Sequence, residues 1–143
     1  MDEEEAQRAF GAAMEDDQRF DHFFKLLGLQ VNYLDDRCII EFGPKDFLFN
    51  PRGRLHGGII APISDCTMAH LLNHVAGPGI TVEAKVQFLR SIGKARHRSE
   101  GSFLKRRRSI DFLVATITSE DGVAAVTASS TWRVLDNSSG RRS

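Results

Sequence analysis

The sequence predicts an α+β fold in which an antiparallel sheet wraps around one long central helix. Residues 58–76 are apolar on nearly every face, which is typical of a buried helix. Four segments with the pattern of strands follow this helix, and two more precede it. A sheet must bury its apolar face against another element, and one long helix can provide that cover. A chain of 143 residues can enclose one such core.

The elements before the central helix are short helical pieces and a hairpin. Residues 2–24 carry apolar side chains at helical spacing among many acidic ones, and Gly28 is a typical helix stop. The next two segments have the composition of strands, at 29–34 and 37–43, with a turn at Asp35-Asp36. Residues 43–54 contain two prolines and a glycine, so we expect a loop.

Pro62 constrains where the central helix begins. Proline has no N–H group and is best tolerated in the first turn, so we expect the helix to start between Gly58 and Ala61. Gly77-Pro78-Gly79 predicts its end. Four strands follow, at 81–89, 95–105, 109–119 and 123–134, with a hairpin turn at Glu120-Asp121-Gly122.

The first of these four strands alternates, so its apolar and polar side chains are predicted to lie on opposite faces. The apolar set is Val82, Ala84, Val86 and Phe88, and the polar set is Glu83, Lys85 and Gln87. We predict one domain over residues 29–135. A helical segment over 1–28 would pack on it, and a polar tail over 136–143 would be disordered.

Composition excludes several classes of protein. The formal net charge is zero, which argues against a nucleic-acid-binding domain. The first five residues are acidic rather than basic and then apolar, so we expect no signal peptide, and no apolar run is long enough for a membrane helix. Cys38 and Cys66 are then expected as reduced thiols. These features predict a cytoplasmic protein that binds neither nucleic acid nor membranes.

The segment from Asn50 to Asp65 carries the chemistry. Gly57 and Gly58 come just before the apolar run of the helix, where no side chain blocks approach to the backbone N–H groups. The first turn of a helix leaves N–H groups without partners, and its dipole adds positive potential. A carbonyl oxygen bound there would be polarised, and an oxyanion forming on it would be stabilised. This arrangement indicates acyl transfer.

Asp65 is the acidic residue of this segment, but it lies roughly 10 Å along the helix axis from the two glycines. It is therefore poorly placed to serve a carbonyl at the start of its own helix. Two such helices packed antiparallel across a two-fold axis would bring Asp65 of one chain to Gly57 of the other. The spacing thus predicts a homodimer with two composite sites.

These residues resemble the PaaI-type hotdog thioesterases. The resemblance covers about residues 20–135 and includes the order of the strands. It rests on four features at matching spacing: Asn50, the triplet His56-Gly57-Gly58, Asp65 in the following helix, and Thr81 at the start of the next strand. Pro62 and Ser91, the latter where family members commonly have proline, depart from the family pattern.

The resemblance implies a hotdog fold and hydrolysis of an acyl-CoA thioester to the free acid and CoA, with no metal or redox cofactor. Asp65 would activate water or attack the thioester, and Thr81 would assist it. The Gly57 N–H would polarise the carbonyl, while Asn50 and His56 would position the carbonyl and the water. The family also implies a homotetramer built as a dimer of dimers.

A basic run lies in the C-terminal half of the sequence: Arg90, Lys94, Arg96, Arg98, Lys105, Arg106, Arg107 and Arg108. It is either a solvated sheet edge that deters aggregation or a site for the phosphates of CoA. Aromatic residues are not interleaved with it, so nucleic acid is the least favoured interpretation. For substrate and CoA binding, the candidates are Gly58, Arg90, Arg106, Arg107 and Arg108.

Simpler interpretations stand beside several of these assignments. Asn50 next to proline is a common turn signal, Thr81 is an ordinary strand residue, and His56 could only brace the loop. Cys66, His70 and His74 share one helical face at spacing that a metal could use, but no carboxylate joins them. We therefore predict no metal site.

The acyl group is predicted only as aryl or medium-chain. Aromatic and aliphatic side chains would line its pocket, chosen from Phe42, Phe47, Phe49, Leu72 and Phe88. Two other functions remain open. One is a hotdog hydratase or dehydratase that moves protons at the acyl chain, and the other is a non-catalytic acyl-CoA sensor.

Overall fold

The computed structural model describes residues 3–13, 22–43 and 45–135. The helices are α1 (Glu3–Ala13), α2 (His22–Leu26) and α3 (Gly57–Val75), with a 3-10 turn at Asp46–Leu48. The strands are β1 (Gln30–Leu34), β2 (Arg37–Phe42), β3 (Gly79–Phe88), β4 (His97–Arg106), β5 (Ile110–Ser119) and β6 (Ala124–Val134). The predicted tail over 136–143 lies outside the described residues.

The six strands form one antiparallel sheet in the order β1-β2-β4-β5-β6-β3, and α3 packs on its inner face. Alternate side chains point toward the helix, as in Leu113, Ala115 and Ile117 of β5. The α+β architecture predicted from the sequence is therefore confirmed. Across the described ranges, no helix is both long and apolar enough to cross a bilayer.

The sheet covers only one side of α3. Ile63, Met68 and Leu71 are buried against it. The opposite side leaves small or polar residues half-buried or exposed, namely Gly58, Ala61, Pro62, Asp65 and Ala69. An apolar helix that remains open along one side has a face available for a further partner.

Two details of the predicted elements are wrong. The helix begins at Gly57, so Pro62 is its sixth residue and its missing N–H leaves the Gly58 carbonyl without that partner. Gly58 is exposed, so solvent can bond to this carbonyl. In β3, a bulge between Thr81 and Glu83 puts Val82 out of step with the alternation, and this side chain is 60% exposed.

The helix lies close to the sheet at Gly101 of β4. A methyl group at Gly101 would lie 3.1 Å from the Thr67 Cγ2 and 3.4 Å from the Thr67 carbonyl oxygen. Thr67 is held in place because its hydroxyl donates to the Ile63 carbonyl at 2.8 Å and bonds to the Ser99 hydroxyl at 2.7 Å. The missing side chain at Gly101 therefore allows α3 to lie this close to β4.

We expect the substitution Gly101→Ala to lower the free energy of unfolding by about 1–3 kcal/mol, because neither neighbour can move aside without strain. Denaturant unfolding of the purified protein measures this change. Gly11→Ala is the control, since nothing lies within 4 Å of that site in α1 and alanine favours a helix by up to about 1 kcal/mol. Equal stability of the Gly101→Ala protein and the wild type would show that α3 can shift freely.

Candidate active site

The N-terminus of α3 presents two backbone N–H groups. His56 is the N-cap residue, with φ −61 and ψ 135, and its carbonyl accepts from Ile59 at 2.9 Å and Ile60 at 3.2 Å. Within the described part of the chain, no backbone carbonyl accepts from the N–H of Gly57 or Gly58, and both glycines are exposed. The His56 side chain is also exposed and makes no capping bond. These two N–H groups can serve an external acceptor.

The loop before α3 is held by backbone bonds and by Asn50. The Leu55 N–H donates to the Ile92 carbonyl at 2.9 Å. The Asn50 Oδ1 accepts from the N–H groups of Arg52 at 3.0 Å and Arg54 at 3.1 Å. Asn50 thus acts as a turn residue through its oxygen, which leaves its NH2 group as the part that could reach a ligand.

Phe88 forms a wall beside the N–H donors. Its ring lies 3.5 Å from the position that a Cβ on Gly57 would occupy, and the side chain is 54% exposed. Phe47 and Phe49 are half-buried near the core, whereas Phe42 and Leu72 are fully buried. Of the predicted pocket residues, Phe88 is therefore the one in direct reach of Gly57.

Asp65 and Thr81 meet, as the resemblance implies. The Thr81 hydroxyl donates to the Asp65 Oδ1 at 3.2 Å. Burial raises the pKa of the Asp65 carboxyl above its ordinary value, and the hydrogen bond from Thr81 opposes this rise. A carboxylate that is half-buried and accepts one hydroxyl is a suitable base or nucleophile.

The N–H donors and the carboxylate do not meet within one chain. Asp65 is the ninth residue of α3 and lies about 12 Å along the axis from Gly57. Gly57 lies beside Phe88 at the end of β3, whereas Asp65 lies beside Thr81 near its start. The two halves are thus at opposite ends of the same strand.

The basic run divides into two parts. Each member of its first half has an acidic partner in an ion pair: Arg90 with Asp121 at 3.0 Å, Lys94 with Asp46 at 3.0 Å, Arg96 with Glu41 at 3.7 Å and Arg98 with Glu100 at 3.4 Å. No acidic side chain of the described residues forms an ion pair with residues 105–108. We call residues 105–108, Lys-Arg-Arg-Arg, the cationic turn.

Arg90 and the cationic turn lie at opposite ends of β5. Arg90 donates its backbone N–H to Ala125 at the β5–β6 end, and Arg107 donates to Ile110 at the β4–β5 end. The strand has ten residues and spans about 30 Å. The predicted set of CoA contacts therefore does not form one cluster in a single chain, because Arg90 is separate from Arg106, Arg107 and Arg108.

Thr81 and the cationic turn lie at the same end of the sheet. Thr81 pairs with Trp132, Trp132 with Asp111, and Asp111 with Arg106, across four adjacent strands. Three strand spacings place Thr81 about 14 Å from Arg106. Asp111 is fully buried and was not among the predicted site residues.

The face of α3 that carries Cys66, His70 and His74 packs against aromatic side chains. The Tyr33 hydroxyl lies 3.1 Å from the His70 Nδ1, and the Tyr33 ring stacks on His74 with centroids 4.0 Å apart. The Phe24 ring lies 4.8 Å from that of His70. No group of three or more metal-ligating side chains occurs among the described residues.

Several solved structures share this fold. A protein of Bacillus halodurans solved with CoA has a TM-score of 0.83 and 16% identity, over 96% of this chain and 97% of that one. A mutant of the phenylacetic acid degradation protein PaaI from Thermus thermophilus has a TM-score of 0.75 and 22% identity, over 80% and 100%. A hypothetical thioesterase of Streptococcus pneumoniae solved with coenzyme A has a TM-score of 0.70 and 18% identity, over 80% and 91%.

No protein-family model matches the sequence, and no curated protein matches it. At these identities the solved structures establish the architecture. The chain has the hotdog fold, in agreement with the resemblance to PaaI-type proteins seen in the sequence.

We expect the substitution Thr81→Val to raise the pKa of Asp65 further, because it removes the hydroxyl that stabilises the ionised carboxylate while keeping the shape of the side chain. NMR titration of the Asp65 carboxyl carbon measures the pKa directly, without an assay of activity. Thr81→Ser keeps the hydroxyl and should leave the pKa close to that of the wild type. A Thr81→Val pKa equal to that of the wild type would exclude Thr81 as a partner of Asp65.

Proposed function

We propose that this protein hydrolyses acyl-CoA thioesters to the free acid and CoA. The observation that carries the proposal is the pairing of a half-buried carboxylate with a hydroxyl, on a helix whose N-terminus presents two N–H donors. Similar folds named as thioesterases, or solved with CoA, support it. The acyl group would be aryl or medium-chain.

The proposed reaction adds water to the thioester carbonyl. The carbonyl oxygen would accept the Gly57 N–H, with Gly58 beside it, and the helix dipole would stabilise the negative charge that develops there. Asp65 would take a proton from the attacking water. The new C–O bond then displaces the sulfur, and the proton taken up by Asp65 passes to the departing thiolate, so CoA leaves as its thiol. The reaction requires no metal or redox cofactor.

His56 and Asn50 would position the reactants. His56 is exposed immediately before Gly57, so its ring can reach the carbonyl or the water. The NH2 group of Asn50 can donate to either, because its oxygen is already engaged in the loop. Thr81 would hold Asp65 in place as the proton moves.

A second copy of this chain would complete the site. The β3 strand is at the edge of the sheet, so one side of its backbone has no strand partner within the described chain. Exposed apolar side chains lie along and just beyond it, namely Ile80, Val82, Phe88 and Leu89. The open side of α3, which includes Asp65, is a further unpaired surface. Pairing of two β3 edges about a two-fold axis would cover both surfaces.

In such a homodimer, each site takes Asp65 and Thr81 from one subunit and the Gly57 region from the other. Antiparallel pairing of the β3 strands places the start of one strand beside the end of the other. The two halves that are apart in one chain would then face each other. Association of two such dimers would give the homotetramer that the resemblance implies.

The cationic turn would bind the phosphates of CoA. Arg106, Arg107 and Arg108 are exposed and have no acidic partner among the described residues, so their guanidinium groups can take up phosphate oxygens. They belong to the same subunit as the Asp65 of the site, and Arg106 lies about 14 Å from Thr81. The flexible phosphopantetheine arm can bridge such a separation. Arg90 is held by Asp121 and would contribute less.

We expect Asp65→Asn to lower kcat for acyl-CoA hydrolysis by about 10²–10⁴-fold with little change in KM, because the residue acts in the transition state rather than in binding. Thiol release from a panel of aryl- and medium-chain acyl-CoAs measures both constants. A wild type that binds these thioesters without hydrolysing them would indicate the sensor instead. Addition of water to the acyl chain would indicate the hydratase, and loss of water from the acyl chain would indicate the dehydratase.

A stability measurement separates loss of chemistry from loss of folding in the same variant. The pKa of Asp65 is raised in the folded state, so its contribution to stability is present at low pH and is lost as the pH rises through that pKa. Replacing the ionised carboxylate by a neutral amide should therefore raise Tm at neutral pH. An inactive Asp65→Asn protein with a lower Tm would contradict the assignment of Asp65 as the catalytic base.

A further inference from the structure

The carboxylate of Asp111 is buried directly beneath the cationic turn. Its side chain is 0% exposed and lies on the inner face of β5, in line with Leu113 and Ala115. A buried carboxylate is costly unless it is hydrogen-bonded or paired, so its place in the fold requires a reason.

The contacts of Asp111 reach the backbone of the turn. Its Oδ1 accepts the Arg107 N–H at 3.2 Å, and the same N–H also approaches the Ile110 carbonyl at 2.9 Å. In the sheet, Asp111 stands directly opposite Arg106. Ser109, the residue just after the cationic turn, is anchored from the other side, because its carbonyl accepts the Val134 N–H at 2.8 Å.

The turn needs such an anchor because of its charge. Four consecutive basic residues repel one another, and the most open arrangement of the loop would separate them. A buried carboxyl that accepts the Arg107 N–H from underneath fixes the backbone of the turn against this repulsion while leaving the guanidinium groups outside. The Arg106 guanidinium lies 4.7 Å from the centroid of the Phe103 ring, and this contact orients the Arg106 side chain.

We infer that Asp111 is a positioning residue that holds the cationic turn in the geometry required to bind the nucleotide phosphates of CoA. It thereby selects CoA thioesters over thioesters that lack the nucleotide. This inference rests on the proposed function. Asp111 would not touch the thioester, since Trp132 separates it from Thr81 in the row of paired residues.

The test compares two substrates that carry the same acyl group, an acyl-CoA and the matching acyl-pantetheine, which has no nucleotide. For Asp111→Ala we expect KM for the acyl-CoA to rise about tenfold, the effect of losing one hydrogen bond that positions the turn. KM for the acyl-pantetheine and kcat for both should stay at the wild-type values. For Asp111→Asn the rise should be smaller, because the amide still accepts the Arg107 N–H.

Two further variants calibrate the experiment. Arg107→Gln removes a guanidinium that the turn presents, and it should raise KM for the acyl-CoA alone. Asp36→Ala removes an exposed carboxylate from the turn between β1 and β2, and it should change neither KM.

The possible results distinguish this inference from the proposed function. If the wild type hydrolyses neither thioester, the proposed function fails. If it hydrolyses both but Asp111→Ala leaves KM for the acyl-CoA unchanged, the inference alone fails. Equal impairment of the two substrates in Asp111→Ala would also overturn it, since Asp111 would then support the fold as a whole.

Discussion

The whole arrangement depends on one constraint, the burial of a single apolar helix by a single sheet. The sheet covers the side of α3 that carries Ile63, Met68 and Leu71, and it leaves a stripe of small residues and Asp65 open. Burial of the open side of such a half-covered apolar helix against a partner is favourable and lowers the free energy. The same stripe holds the acidic residue of the candidate site, so completing the core and completing the site would be one event.

The chemistry follows from where groups lie along that helix. The free N–H groups occur only at its start, whereas Asp65 is about two turns further on, where burial raises the pKa of its carboxyl. A carboxylate kept in such a place is unfavourable for stability, which is typical of a residue retained for function. Thr81 moderates the rise in pKa and keeps the ionised form available. The hydrogen bond from Thr81 to Asp65 thus balances the cost of burying the carboxyl against the need to keep it ionised.

Much of the fold was predictable because burial dictates the apolar pattern of each element. The order of helix and strands follows from that pattern alone. The two incorrect predictions, at Val82 and at Pro62, concern details that depend on contacts between elements. The bulge at Val82 is set by pairing with β6, and the position of Pro62 is tolerated because Gly58 opens to solvent. Asp111 lies between Ile110 and Phe112, so alternation with its apolar neighbours suggests a solvent-facing carboxylate, whereas it faces the core.

The candidate site, like the fold, could be predicted only in part from the sequence. The motif around His56 and Gly57 can be recognised locally, because glycines before a helix have a fixed consequence for the backbone. The sequence alone could not show that the basic run divides into two separate parts. Arg90 and Arg106 look like members of one group, but the ten residues of β5 separate them and Asp121 neutralises the first. Only the pairing of strands places the cationic turn in the same row as Thr81.

A mixed dimer tests the central claim, that each site is shared between two chains, most directly. One chain carries Asp65→Asn. The other carries Gly57→Pro, which removes the N–H at a position where proline suits a helix and where His56 already has the required extended backbone. Each variant alone should be inactive as a homodimer. Co-purified heterodimers contain one intact shared site, so thiol release from acyl-CoA should recover to about half the wild-type kcat per dimer. Heterodimers as inactive as both parents would contradict the account, because the two groups would then have to act within a single chain.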